Sequence, residues 1–143
     1  MKTVIIGQAP SKRGDPANPL SRDPVASRLA GLFGVTKDEY LERFDRINLI
    51  GIWPGKKGKG DAFPMAEAAA AAEKLKDALL GRTVLFLGVA TAKAFRYPYD
   101  ALEWHSFNEG LAAVLPHPSG VNRWWNDEGN SERASVFCRR MEI

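Results

Sequence analysis

The sequence predicts an α/β fold, a three-layer α/β/α sandwich built on a parallel sheet of about four strands. Three observations carry that expectation. Short apolar runs at residues 3–6, 46–52, 83–87 and 111–115 alternate with segments of helical pattern. The first and third runs are apolar at successive positions, as strands covered on both faces are. Each run then stops at punctuation: Gly7, Trp53-Pro54-Gly55, Gly88 and Pro116.

Taken in order, residues 3–6 read as a central parallel strand, and Gly7-Gln8-Ala9-Pro10-Ser11 as the loop at its carboxyl end. Residues 12–23 are polar and rich in proline and glycine. So long an irregular stretch in a small domain suggests a functional loop. Pro24 suits a first helical turn and Asp23 its N-cap. Val25, Leu29 and Leu32 mark one helical face, which Gly34 ends. Thr36-Lys37-Asp38-Glu39 has the spacing of a capping box and opens a second helix toward Phe44. The strand at 46–52 leads into a basic, glycine-rich loop at 53–61. An alanine-rich helix is expected over 65–80, ended by Gly81. The third strand, 83–87, turns at Gly88 into a short helix reaching Phe95. The fourth, 111–115, runs into Pro116-His117-Pro118-Ser119-Gly120, where two prolines fix the backbone around an imidazole. A last helix is expected over 130–138, capped by Asn130 or Ser131. His105 and Cys138 read as structural, Cys138 as a core residue of that helix.

The chain has 143 residues, and one domain over 1–143 is expected. Its hydrophobic fraction of 45% suffices for a core, and its net charge of +3 is compatible with a polyanionic partner. One cysteine permits no disulfide within the chain, and two histidines make a zinc site improbable, so no metal and no cofactor are expected. No apolar run reaches membrane-spanning length, and the N-terminal apolar stretch is too short for a signal peptide. A cytoplasmic, intracellular monomer with no membrane contact is the expectation.

The ordered set of loops resembles the uracil-DNA glycosylase superfamily. The family's first motif, Gly-Glu-Ala-Pro-Gly or a relative, is matched by Gly7-Gln8-Ala9-Pro10-Ser11. Its last, His-Pro-Ser followed by Pro or Gly and often Asn, is matched by His117-Pro118-Ser119-Gly120-Val121-Asn122. Between them lie Asn48, then Trp53-Pro54-Gly55, then Leu87-Gly88 followed by small residues. The match spans about residues 3–125, and the branches it most resembles are the thermophile-type and broad-specificity bacterial enzymes. It departs from them at defined points. The iron–sulfur cysteines of the thermophile-type branch are missing, its Glu is Gln8 here, and Leu20 stands where the family has a base-stacking Phe. Asp23 lies near the place where the broad-specificity branch carries an Asp.

The resemblance implies an enzyme that flips out uracil or a related modified pyrimidine and hydrolyses its N-glycosidic bond, with DNA as partner. Such a reaction gathers positive charge on the sugar and negative charge on the departing base. His117 would stabilise the base anion; otherwise it is a turn histidine satisfied by backbone. Asp23 would polarise water or stabilise the sugar cation; otherwise it is an ordinary N-cap. Gln8 could position a water but cannot act as a general base. Asn48 would read the base edge through its amide, or else bond a neighbouring loop. Gly7, Ala9, Pro10, Leu20 and Ser119 would complete the base pocket. Lys56 and Lys57 would hold phosphates, or else decorate a solvated turn. Gly120, Val121, Asn122 and Arg123 resemble the family's loop that enters the minor groove. Trp124 and Trp125 could stack on bases, with at least one of them expected in the core. Two other readings fit the same residues: a catalytically inactive nucleic-acid-binding protein of this fold, and an enzyme acting on a free nucleotide or hypermodified base.

Overall fold

A computed structural model describes residues 1–58, 60–118 and 122–141. Strands β1 (Val4–Gly7), β2 (Asp45–Asn48), β5 (Thr83–Leu87), β6 (His105–Phe107) and β7 (Gly110–Leu115) form one sheet in the order β2-β1-β5-β7-β6. All neighbours are parallel except β6 and β7. A separate two-stranded hairpin, β3 (Lys56–Lys57) and β4 (Gly60–Asp61), rises from the loop after β2. The helices are α1 (Val25–Phe33), α2 (Lys37–Arg43), α3 (Met65–Leu75), α4 (Val89–Ala94) and α5 (Glu128–Arg139). A short 3-10 helix covers Arg123–Asn126.

The three inner strands, β1, β5 and β7, are largely apolar because both their faces are covered, and alternate residues serve opposite cores. Val4, Ile6, Val84, Phe86, Ala112 and Val114 pack with Ala68 and Ala72 of α3 and Ala92 and Ala94 of α4. Ile5, Leu85, Leu87, Ala113 and Leu115 pack with Leu29 of α1, Tyr40 of α2 and Ala134 of α5. The expected layers, helices on both faces of a mostly parallel sheet, are therefore present. Phe86 sits at the hub of the first core, its ring 5.1 Å from Phe95, 5.2 Å from Tyr97 and 5.4 Å from Phe107.

Several expectations are corrected. The sheet has five strands rather than four, while β1 is an interior strand as expected, paired in parallel with β2 on one side and β5 on the other. The additional strand, β6, pairs with β7 across a two-residue turn in which Asn108 (φ 49°) and Glu109 (φ 64°) are both left-handed. A glycine would have announced such a turn; Asn-Glu does not. Glu109 pays for that conformation, so Glu109→Gly is expected to stabilise the fold by about 0.5–1 kcal/mol in urea unfolding. The strand read at 46–52 spans Asp45–Asn48, although ladder hydrogen bonds continue from Leu49 N to Gly7 O and from Ile50 N to Gln8 O. Helix α3 ends at Leu75 instead of 80, and turns carry the chain to Gly81. Asp127, not Asn130 or Ser131, caps α5 by accepting from Asn130 N. Pro24, not Asp23, occupies the N-cap of α1. The capping box at Thr36 and Glu39 and the left-handed Gly34 stand as expected.

Candidate nucleotide-binding site

The sheet order fixes where a site can form. The helices after β1 (α1, α2) cover one face, and the helix after β5 (α4) covers the other. The chain leaves two neighbouring strands in opposite directions, and the crevice outside their carboxyl ends is where open α/β sheets bind ligands. Gly7-Gln8 and Gly88 border that crevice.

Two groups of residues meet there. The first is Gly7, Leu20 and Asn48. Asn48 pairs in register with Gly7 across the β1–β2 ladder. A Cβ on Gly7 would lie 2.7 Å from Asn48 Oδ1 and 2.8 Å from Leu20 Cδ2, so the close packing of these two side chains on β1 has room only for glycine. Asn48 Oδ1 is buried and has no hydrogen-bond partner among the described residues. The second group is Gln8, Gly88 and His117. A Cβ on Gly88 would lie 3.2 Å from Gln8 Nε2 and 3.3 Å from His117 Cβ. Gly88 has φ 91° and donates its N–H to Leu115 O at 2.8 Å, tying the end of β5 to the strand end that carries His117.

The loops that carry Leu20 and His117 are held from behind. The long loop after β1 is pinned by Arg46, whose Nη1 donates to Asn18 Oδ1 and Pro19 O, both at 2.8 Å. Tyr40 OH donates to Leu20 O at 2.9 Å, and burial pushes the pKa of that phenol up, so it stays a donor. Leu20 itself is left-handed, at φ 58°. The expected functional loop is therefore a fixed wall beside Gly7. His117 is fixed through its carbonyl, which accepts from Asn122 Nδ2 and Trp125 Nε1, both at 2.8 Å. Arg28 on α1 donates to Pro118 O at 3.3 Å and lies over the Trp125 ring at 5.4 Å.

The remaining expected site residues are placed as follows. Ala9 packs on the core and Pro10 is buried, so both shape the loop around Gln8. Asn122 uses its amide within the loop, toward His117 O and from Trp124 N, and so shapes that loop rather than projecting from it. Trp125 is in the core as expected, with Trp124 packed beside it. Lys56 and Lys57 are exposed on the hairpin and Arg123 is exposed at the start of the 3-10 helix. Ser119, Gly120 and Val121 lie outside the described residues. Arg28 and Arg46 support the site and were not singled out in the sequence, and Gly88 was noted there only as part of the ordered loops, without a role of its own. Gly88 carried a usable signal, a glycine directly after a buried strand; the two arginines carried none.

Asp23 is exposed, and its carboxylate accepts from the backbone N–H and hydroxyl of Ser27 and from Lys37 Nζ at 3.3 Å. The Ser27 hydroxyl above all, with Lys37, holds the carboxyl below its ordinary value of 3.8. A depressed folded-state pKa gives stability that is present above the unfolded value and is lost as pH falls through the folded one. Ser27→Ala is thus expected to lower stability relative to wild type at neutral pH. That gap narrows once the pH drops below 3.8, as urea titrations at pH 7 and pH 3 would show.

Among the described residues no group of three or more His, Cys, Asp or Glu could hold a metal ion. No helix among them is long and apolar enough to cross a membrane. The sequence matches no protein-family model and no curated protein sequence.

Proposed function

We propose that this protein is a DNA glycosylase-like enzyme of the uracil-DNA glycosylase type, which takes uracil or a related modified pyrimidine out of the helix stack and hydrolyses its N-glycosidic bond. One observation carries the reading: Asn48 Oδ1 is buried without a hydrogen-bond partner among the described residues, packed against Gly7 at the carboxyl end of β1. A buried acceptor left unpaired costs about 1–3 kcal/mol, a cost a ligand can remove. The ligand must donate there, and the neighbouring Nδ2 offers a donor in return. The imide edge of uracil, an N–H beside a carbonyl, is the complement of that pair.

In the reaction the C1′–N1 bond breaks and its electron pair leaves with the base. Water oxygen bonds to C1′, and the water proton passes to the base or to solvent. His117, fixed by its carbonyl, would donate to the departing pyrimidine oxygen. Gln8, against Gly88 and His117, would position the water without taking its proton. Asp23 is the nearest acidic residue in sequence to Leu20 and is ionised at neutral pH.

A second reading, a binding protein of the same fold without cleavage, is favoured by two features. Gln8 is neutral, and the Asp23 carboxylate is engaged by Ser27 and Lys37. Incubation with single- and double-stranded oligonucleotides carrying one uracil, followed by alkali, separates the two. Strand breaks with wild type that are lost in His117→Ala support the enzyme, and Asp23→Ala in the same series shows whether the acid takes part. Salt-sensitive binding without breaks supports the binding protein. Saturable binding of a free nucleoside with no salt slope would move the assignment to a small substrate.

A further inference from the structure

We propose that Trp53 is a stacking platform for an unpaired base next to the extruded one, and that the DNA this protein prefers is single-stranded. The inference rests on the function proposed above only for the position of the extruded base. Trp53 lies in the loop between β2 and the β3–β4 hairpin, five residues beyond Asn48, and is half-buried. Lys12, from the loop after β1, holds its ammonium 5.8 Å from the centre of the Trp53 ring. The two loops that border Gly7 and Asn48 therefore meet over an indole face. Ile52 beside it is 71% exposed, an aliphatic side chain left in water where a polar loop would need none. Lys56 and Lys57 are exposed on the hairpin that follows.

An indole under a lysine ammonium, followed along the same loop and its hairpin by exposed lysines, offers the two elements that bind single strands: bases stack on aromatic faces while lysines follow the phosphates. A base can take the ring face that the Lys12 ammonium covers, and the ammonium, on its long stem, then moves to the adjoining phosphate. A duplex offers no such base, because its bases are already stacked and paired.

The test measures affinity for three unmodified probes: a single-stranded thymidine oligonucleotide, a duplex of equal length, and heparin, a polyanion without bases. Wild type, Trp53→Phe and Trp53→Ala are compared. Wild type is expected to bind the single strand more tightly than the duplex. Trp53→Ala is expected to lose about five- to 100-fold on the single strand, with heparin affinity and salt slope unchanged, while Trp53→Phe keeps most of the binding. Three results would each overturn the proposal: Trp53→Ala binding the single strand like wild type, equal losses on heparin and single strand, or tighter binding of the duplex by wild type. The probes carry no uracil, so failure of excision leaves this result intact, and failure here leaves excision intact.

Discussion

Asn48→Ala is expected to cut uracil excision by about 5- to 150-fold while leaving the protein at least as stable as wild type. The activity loss follows from removing the paired donor and acceptor that read the base edge in the proposed function, a contact of about 1–3 kcal/mol. The stability outcome follows from Oδ1, which is buried without a partner in the free protein. Deleting it removes a desolvation cost of about 1–3 kcal/mol, against a small loss of packing from a half-buried side chain. Excision kinetics and urea unfolding on the same preparation check both halves. An Asn48→Ala protein that is active, or that unfolds well below wild type, would make this side chain structural.

Gly88→Ala is expected to be costly in both respects. At φ 91° an L side chain is strained, at about 1–3 kcal/mol, and the added methyl meets Gln8 and His117 at 3.2 and 3.3 Å. For a domain of this size that lowers Tm by roughly 3–10 °C. Whichever of Gln8 and His117 gives way, the distance between the proposed water-positioning and base-stabilising groups changes. A shift of about 1 Å in such a pair can cost about 10²-fold in rate. Thermal melts and single-turnover excision would show the two losses together. The contrast with Asn48→Ala is informative, because one substitution separates activity from stability and the other couples them.

What could be read from the chain divides along physical lines. The parallel strands were legible because both faces are covered, which makes residues such as Ile5, Ile6, Leu85 and Phe86 apolar in succession. The Thr36 capping box was legible because its hydrogen bonds are local. Strand β6 was not, because Asn108 and Glu109 form a turn that usually asks for glycine. The candidate site residues at strand ends, Gln8, Asn48 and His117, were singled out from their order along the chain and their resemblance to a family. Their meeting around Gly7 and Gly88 was not, since it depends on the sheet order β2-β1-β5-β7. Arg28 and Arg46 escaped notice for a similar reason. Arg28 acts on Pro118, 90 residues away in sequence, and nothing in the local pattern distinguishes either from a surface arginine. Asn122 was read as part of a loop that enters DNA, whereas its amide bonds are made inside its own loop, a use that the local pattern does not announce.

The central claim is that a pyrimidine is held at Asn48 and detached from its sugar beside His117. Mass spectrometry of a single-stranded oligonucleotide carrying one uracil, before and after incubation with the wild-type protein, tests it most directly. The account predicts release of free uracil and an oligonucleotide that gains an abasic site at that one position. An oligonucleotide of unchanged mass, under conditions where the protein is folded and bound to it, would contradict it.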